Sequence, residues 1–273
     1  MTSSIVANVS LLFADLAVLE RFQAARAAGF HLVESWWPFD TASPSSIEVD
    51  AFLRAIDEAG VSLVALNLYA GDMAAGERGV LSHPGREVDL QRSLAATEQI
   101  AQNTGCALFN ALYGLRLNGV SDEAALDVAL TNLTRVAAAL DGGTLLLEPL
   151  SSAANTGYPL GSLDDAERVR SRAVAEGIDS VALLFDSFHL ASNGMDLEAQ
   201  IRDHAEHIAH VQLADDPGRG APGTGDVDFP GVLRALAKVG YSGHIAAEYI
   251  PGPHAVSAEA LAAALGADRE VAR

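Results

Sequence analysis

The stretch Val181-Ala-Leu-Leu-Phe-Asp186 is an apolar run that stops on a carboxylate. Short apolar runs bounded by polar residues are typical of strands buried on both faces of a parallel sheet. A buried strand gains nothing from an unpaired charge at its end, because desolvating a carboxylate is costly. Three further runs stop on a side chain that offers oxygen: Thr144 to Leu147 before Glu148, Ile208 to Val211 before Gln212, and Ile245 to Ala247 before Glu248. The recurrence indicates oxygens that converge on a positive charge.

Outward from these runs, apolar strands alternate with amphipathic helical segments along the whole chain. We predict strands near 4–9, 31–35, 61–67, 107–112, 143–148, 181–186, 208–213 and 244–249. We predict helices near 15–28, 46–59, 87–104, 121–140, 162–176, 196–206, 229–239 and 256–267. Eight strand–helix units predict an α/β fold, a single (β/α)8 TIM barrel that occupies one domain over residues 1–273. The first strand runs into Asn8-Val9-Ser10 without a glycine, which argues against a dinucleotide-binding sheet.

Composition excludes several classes of protein. The chain has 273 residues, with 17 basic against 36 acidic side chains and a formal net charge of −19, which disfavours nucleic-acid binding. Cys106 is the only cysteine, so no internal disulfide is expected, and its small neighbours suggest a buried residue at a strand start. We see neither a secretion signal nor an apolar run long enough to span a membrane. We therefore expect a cytoplasmic enzyme with a small-molecule substrate, and we leave a homo-oligomer open.

The four strand ends form an all-oxygen ligand set of three carboxylates and one amide. Hard divalent ions such as Mg²⁺ or Mn²⁺ prefer such ligands, whereas a structural zinc site would use cysteine or several histidines. In a closed barrel the ends of strands five to eight are neighbours on one rim, so Glu148, Asp186, Gln212 and Glu248 can meet at one ion. For each acid taken alone, a loop cap or an ion pair is the favoured explanation. The four in succession favour the metal site.

Two residues near this rim are candidates for contact with a substrate. His189 follows Asp186 by three residues, where a neutral imidazole can donate to a substrate hydroxyl; a solvated loop histidine is the simpler alternative. Arg219 is one of few cations near the rim and can pair with a carboxylate or hydroxyl oxygen of the substrate. The alternative for Arg219 is a loop arginine that neutralises Asp215 or Asp216. The residues leave both choices open.

Other polar and aromatic residues have weaker signals. Glu34 ends the second predicted strand, either bonded to backbone amides or serving as an anchor or substrate contact. Trp36-Trp37 follows it and forms either a pocket wall or packing outside the barrel. We expect His204 and His207 on the wrong face for a metal, whereas His210 alternates with Gln212 and should point inward.

Two glutamates on opposite sides of a metal indicate enediol chemistry. The ion polarises adjacent carbonyl and hydroxyl oxygens and acidifies the C–H bond between them. One of Glu148 and Glu248 would then remove a proton from carbon, and the other, or a bound water, would return it to the neighbouring carbon.

The chain also resembles a known family, the hydroxypyruvate isomerase-like members of the xylose isomerase-like barrel superfamily. The resemblance is carried nearly from end to end by these segments: Arg21-Phe22-x-Ala-Ala25, Ala28-Gly29-Phe30-x-x-Val33-Glu34, Asn67-Leu68-x-Ala70-Gly71-Asp72, Ala75-Gly76-Glu77-Arg78-Gly79, Pro84-Gly85-Arg86-Glu87, Glu148-Pro149, Asp186-x-x-His189, His210-Val-Gln212-x-Ala-Asp215, Pro217-Gly218-Arg219, Pro222-Gly223-Thr224-Gly225, Gly240-Tyr241-x-Gly243 and Glu248-Tyr249-x-Pro251.

The resemblance implies the same four metal ligands, with Glu148 and Glu248 as the acid–base pair. It also implies that His189, Arg219, Glu34 and Asn67 contact a substrate such as hydroxypyruvate, tartronate semialdehyde or an oxo-tetronate. Two loops depart from the family pattern. Ser151, Ala153 and Ala154 replace the family's Asn and Arg-Asp, and Gly220-Ala221 replaces His-Glu, so a substrate-facing arginine is expected to be missing.

The departures in the loops at 151–156 and 220–221 leave other activities open. A ketose 3-epimerase or an inosose dehydratase-like lyase would use the same metal scaffold. A DNA-repair endonuclease of this superfamily would need more histidine ligands and a basic face. The non-enzyme alternative is a sugar-binding barrel with a vestigial metal site.

Overall fold

Eight parallel strands, all within the described residues, close into one barrel in the computed structural model and follow one another in chain order. The structure describes residues 5–252 and 256–265. The strands are β1 (Ile5–Asn8), β2 (Leu32–Ser35), β3 (Ser62–Asn67), β4 (Leu108–Asn110), β5 (Thr144–Leu147), β6 (Val181–Asp186), β7 (Ile208–Leu213) and β8 (His244–Ala247). Parallel pairing of β1 with β8 closes the ring. The predicted TIM barrel is confirmed.

A principal helix follows each strand and packs on the outside of the barrel. These helices are α1 (Arg21–Ala27), α2 (Ser46–Ala59), α3 (Glu87–Thr104), α4 (Asp122–Ala139), α5 (Leu163–Ala175), α6 (Leu197–His204), α7 (Phe229–Lys238) and α8 (Ala258–Ala264). Capping boxes begin α2 and α5, where Ser45 pairs with Glu48 and Ser162 with Asp165. The helices cover the apolar strands and so complete the core.

Two segments differ from the prediction. The first helix, predicted at 15–28, is shorter, because the Asn8 side chain caps a four-residue helix at Val9–Leu12 and a 3₁₀ turn at Val18–Glu20 precedes α1. A short helix at Ser187–Ser192, which the sequence pattern does not predict, begins directly after β6. Predicted strand residue 4 and predicted helix residues 266–267 lie outside the described residues, and the single domain over 1–273 stays a prediction.

The long connections at 69–86, 149–159 and 214–226 each follow a strand and therefore lie at the carboxyl-terminal face of the barrel. Active sites of this architecture are built at that face. None of the described helices combines the length and hydropathy needed to cross a bilayer.

Candidate active site

The strand ends of the second half of the barrel form the base of a cavity of about 600 Å³. Glu148 follows β5, Asp186 ends β6, Gln212 lies near the end of β7 and Glu248 follows β8. Each of the four is at most 4% exposed. Glu148 and Glu248 line the cavity, and the two strands between them carry the other two side chains. The four predicted side chains therefore stand at or near the ends of four consecutive strands, and two of them, Glu148 and Asp186, belong with His189 to one close group of possible ligands that does not include Glu248.

Asp186 uses its two oxygens for different purposes. Oδ1 accepts hydrogen bonds from the backbone N–H groups of Phe188 at 2.7 Å and His189 at 3.1 Å, which caps the short helix Ser187–Ser192. Oδ2 lies 3.5 Å from Arg219 Nη2 and 3.8 Å from His189 Nε2. One oxygen thus fixes the turn of the chain while the other faces the site.

Glu148 is held by an amide from the neighbouring strand. Asn110 Nδ2 donates to Glu148 Oε2 at 2.6 Å, and Oε1 lies 3.8 Å from His189 Nε2. Burial and the nearby Asp186 carboxylate raise the pKa of Glu148 to about 8. A carboxyl group whose pKa lies near neutrality can both accept and return a proton.

Glu248 is fixed at three points. Its Oε1 accepts from Asn8 Nδ2 at 2.9 Å and from the indole nitrogen of Trp36 at 2.7 Å, and its Oε2 accepts from Arg219 Nη2 at 2.8 Å. Burial raises the pKa of Glu248 well above its ordinary value, although the Arg219 charge opposes the rise. The carboxylate is therefore oriented before any substrate arrives.

Glu34 lies in the barrel interior and orients Gln212. Glu34 Oε1 accepts from Gln212 Nε2 at 2.7 Å and from Asn8 Nδ2 at 2.9 Å, and Oε2 lies 2.6 Å from His210 Nε2. Because the Gln212 amide nitrogen donates to Glu34, its Oε1 points elsewhere, and this buried oxygen has no hydrogen-bond partner in the described part of the chain. An unpaired buried oxygen costs about 1–3 kcal/mol, and a cation would satisfy it. The donor set therefore fits a metal ion.

His189 is placed as a neutral hydrogen-bond donor. Its Nδ1 accepts from the backbone N–H of Ser151 at 2.9 Å, so the ring proton lies on Nε2. Burial lowers the pKa of His189 to about 4, which keeps the ring neutral at pH 7. Ligand atoms of Glu148, Asp186 and His189 lie within 4.8 Å of one another and could hold a metal ion. The tautomer favours donation by Nε2 over coordination.

Arg219 forms its ion pairs with Asp186 and Glu248, not with Asp215 or Asp216, the alternative left open by the sequence. Asp215 instead accepts backbone hydrogen bonds from Gly223, Gly225 and Val227. The Arg219 guanidinium contacts Glu248 and Asp186 and lies 5.4 Å from the centre of the Phe188 ring. Its φ of 54° is left-handed, a costly conformation for a non-glycine residue that persists mainly where the surroundings fix it.

Of the other residues predicted to contact a substrate or to form a pocket wall, some line the cavity and others do not. Asn67 and Trp36 line the cavity, as expected for a pocket wall, whereas Glu34 lies outside its lining and contacts side chains rather than backbone amides. Trp37 packs edge-to-face on Phe39 and Tyr69.

The three histidines lie where the sequence pattern predicts. His204 and His207 contact Asp164 and Glu167 near α5, away from the cavity, and His210 points inward.

Sequence reasoning missed Asn8, Asn110, Arg78 and Asn155. The first two end β1 and β4, so the strand-end rule used for the second half of the barrel would have found them. Arg78 and Asn155 are partners across 77 residues, a separation that no local pattern indicates.

The chain matches the model of the xylose isomerase-like TIM barrel over residues 22–265. It belongs to this family. A putative hydroxypyruvate isomerase of Streptomyces coelicolor is 44% identical over 250 residues, which cover 90% of each chain. The 2-oxo-tetronate isomerase of Cupriavidus necator is 31% identical over 90% of this chain and 92% of its own. The crystal structure of AP endonuclease, family 2 from Brucella melitensis has a TM-score of 0.83 at 28% identity, covering 98% of this chain and 100% of that chain.

These comparisons confirm the resemblance drawn from the sequence. The relatives just described by sequence are isomerases by name, and this xylose isomerase-like barrel is an isomerase.

Proposed function

We propose that this barrel interconverts a short 2-keto acid that carries a neighbouring hydroxyl group and the corresponding aldehyde, as hydroxypyruvate and tartronate semialdehyde are related. The observation that carries the proposal is the meeting of Glu148 and Glu248 at one cavity beside two donors, His189 and Arg219. The names of the relatives support the substrate class, because hydroxypyruvate and 2-oxo-tetronate are both short keto acids.

A divalent metal, Mg²⁺ or Mn²⁺, would be held by Glu148, Asp186, Gln212 and Glu248. Three buried carboxylates and the unpaired Gln212 Oε1 support this ligand set. When bound, the ion would polarise the carbonyl and hydroxyl oxygens of the substrate and so acidify the C–H bond between them. Its charge would also favour ionised carboxylates.

The two glutamates move the proton. One, as a carboxylate, removes a proton from the carbon that bears the hydroxyl, and the electron pair of that bond forms the C=C bond of an enediol. The other, in its acid form, gives a proton to the neighbouring carbon, while the hydroxyl proton passes to the former carbonyl oxygen. One proton leaves carbon and one arrives, so the composition of the substrate is unchanged.

The properties and neighbours of Glu148 and Glu248 support their roles as base and acid. The raised pKa values of Glu148 and Glu248 fit a pair that shares one proton. His189 would donate from Nε2 to a substrate oxygen, Arg219 would hold an oxygen beside Glu248, and Asn67 would contact the substrate from the wall.

The test is turnover of hydroxypyruvate by Glu148→Gln and Glu248→Gln, with the exposed Glu58→Gln as control. We expect each active-site variant to lower kcat by about 10²–10⁴-fold, since proton transfer to or from carbon is lost. Thermal unfolding and Mn²⁺ affinity, measured on the same samples, separate loss of proton transfer from loss of fold or metal.

Product analysis in deuterated buffer completes the experiment. An aldehyde with deuterium at the neighbouring carbon supports the isomerase. Inversion at one carbon, loss of water, or a near-wild-type rate in either glutamine variant would overturn it.

A further inference from the structure

One arginine in the wall of the cavity contacts amide and backbone oxygens where an ion pair would be expected. Arg78, in the connection between β3 and α3, is half-buried and lines the cavity together with Met73 and Ala74. Within residues 5–252 and 256–265, no carboxylate oxygen lies within ion-pair distance of it. Arg219, the other arginine of the cavity, is paired with Asp186 and Glu248. Of these two cavity arginines, Arg78 is therefore the one whose charge no carboxylate balances in the described part of the chain.

The guanidinium of Arg78 is fixed along one edge. Nε donates to Asn155 Oδ1 at 2.8 Å, and Nη1 donates to the carbonyl oxygens of Met73 at 3.0 Å and Glu77 at 2.7 Å. Nη2 has no acceptor among the residues that the structure describes. A guanidinium held in this way presents its remaining N–H groups in a fixed direction and loses little entropy on binding an anion.

Asn155 is itself held in place. Its side chain is buried, its Nδ2 donates to the carbonyl oxygen of Ser151 at 3.2 Å, and its backbone N–H donates to the same oxygen at 2.8 Å. The backbone N–H of Ser151 in turn holds His189. The connection after β5 therefore fixes both a cation in the wall and the donor at the base.

Resting on the proposed function, we infer that Arg78 binds the carboxylate of the keto acid substrate and that Asn155 is the positioning residue that aims it. The buried glutamates form the base of the cavity and Arg78 stands in its half-buried wall, so the reacting carbons would lie at the base with the carboxylate toward the wall. Glu148 and Glu248 are the acids of the cavity lining in the described structure, and an anionic substrate needs a cation that such buried acids do not already neutralise.

The experiment compares hydroxypyruvate with dihydroxyacetone, in which a neutral hydroxymethyl group replaces the carboxylate. We expect Arg78→Met to raise KM for hydroxypyruvate about 10- to 100-fold, the value of a charge-assisted contact, with kcat within about threefold. Turnover of dihydroxyacetone should change by less than about twofold. Arg78→Lys should restore part of the affinity, because it keeps the charge without the fork.

Two further variants test the positioning residue and the background. Asn155→Asp keeps the size of the side chain but pairs the Arg78 charge, so it should raise KM for hydroxypyruvate as Arg78→Met does. The control is Arg116→Met, which removes an exposed arginine that pairs with Asp122 outside this cavity and should leave KM unchanged. Thermal unfolding verifies that each variant folds.

The outcomes separate the two proposals. Turnover of hydroxypyruvate by the wild type with an unchanged KM in folded Arg78→Met overturns the inference and leaves the isomerase standing. If the wild type turns over neither substrate, the proposed function fails, and calorimetry with glycerate, an unreactive anion of the same size, decides the inference. Binding that disappears in Arg78→Met supports the anion site, and equal or absent binding in wild type and variant overturns it.

Discussion

Side-chain amides orient the buried acids in and next to the cavity. Asn8 donates to both Glu34 and Glu248, and Asn110 donates to Glu148, so each carboxylate presents a defined oxygen. A flexible carboxylate would lose entropy when it bound an ion or a proton at a fixed place. The asparagines at the strand ends therefore fix the orientation of the carboxylates before an ion or a proton binds.

Glu34 is expected to control the affinity for a metal through Gln212. Glu34→Gln replaces an acceptor by an amide that can also donate, so the Gln212 amide can turn and withdraw its oxygen from the site. We predict a 10–100-fold weaker binding of Mn²⁺, the usual effect of losing a partner that orients a ligand. Calorimetric titration of Mn²⁺ into the metal-free protein measures it.

The exposed Glu58→Gln serves as the control for that titration. Glu34→Asp keeps the acceptor and should recover part of the affinity. A folded Glu34→Gln protein that bound Mn²⁺ as tightly as the wild type would contradict the role of Glu34.

The sequence predicts some of these residues and not others for a physical reason. Glu148 and Asp186 stand directly after apolar runs, and the geometry of a parallel barrel brings such ends together. The hydrogen bond from Asn8 to Glu248 joins residues 240 positions apart, and that from the Trp36 indole spans 212. Such pairs depend on side-chain directions that appear only once the barrel has closed.

At the scale of elements, the connection after β5 and the short helix Ser187–Ser192 form one unit. Asn193 accepts from the backbone N–H of Ser152 at 2.9 Å and donates to the carbonyl oxygens of Leu150 at 2.9 Å and Gly161 at 2.8 Å. The Asn193 side chain therefore holds both ends of the connection that orients His189.

Asn193→Ala should loosen that unit. Three hydrogen bonds are lost and two carbonyl oxygens lose a donor, so we predict a decrease in the free energy of unfolding of about 1–3 kcal/mol. We also expect a lower kcat/KM with unchanged Mn²⁺ affinity, because the strand ends stay in place. Urea unfolding and steady-state kinetics measure the two effects.

The matched control is Asn103→Ala on α3, whose exposed amide donates to one helical carbonyl oxygen, that of Gln99. Equal losses of stability in the two variants, with full activity in Asn193→Ala, would show that the connection does not depend on Asn193.

Helix boundaries are predictable where caps are local. Ser46–Ala59 and Glu87–Thr104 begin and end where the sequence pattern places them, and the first has a capping box and a terminal glycine as signals. The helices Val9–Leu12 and Ser187–Ser192 start on strand-end side chains, Asn8 and Asp186. At these two positions the apolar run predicts a strand, and the sequence pattern does not show that the last side chain of the strand also caps a helix.

For the whole molecule, the main feature is buried negative charge gathered at one end of a closed barrel. Glu34, Glu148, Asp186 and Glu248 are all at most 4% exposed, in a chain of net charge −19. Without a divalent ion, Arg219 is the cation that contacts this group within the described structure. Burial of these acids therefore lowers the free energy of unfolding of the barrel. The size of this effect depends on pH and on a bound metal ion.

The stability of the metal-free protein should fall as the pH rises from about 6.5 to about 8. The folded pKa of Glu148 is raised to about 8, above the ordinary value of about 4.3, so in this range the unfolded chain has released a proton that the folded chain keeps. Fewer protons on the unfolded chain mean a negative slope of stability against pH. Glu248, also raised, acts in the same direction. The lowered pKa of His189, about 4, has the opposite effect, but only below about pH 6.5, where the unfolded histidine takes up its proton.

Thermal unfolding after treatment with a chelator measures this slope. We expect Glu148→Gln to flatten it, because a neutral amide does not titrate, whereas the surface variant Glu58→Gln should keep it. Mn²⁺ should raise the melting temperature more at pH 8 than at pH 6.5, since a cation favours the ionised carboxylates that are costly without it. Identical slopes in the wild type and Glu148→Gln, with or without Mn²⁺, would mean that these buried acids are not what links the stability of the barrel to its metal.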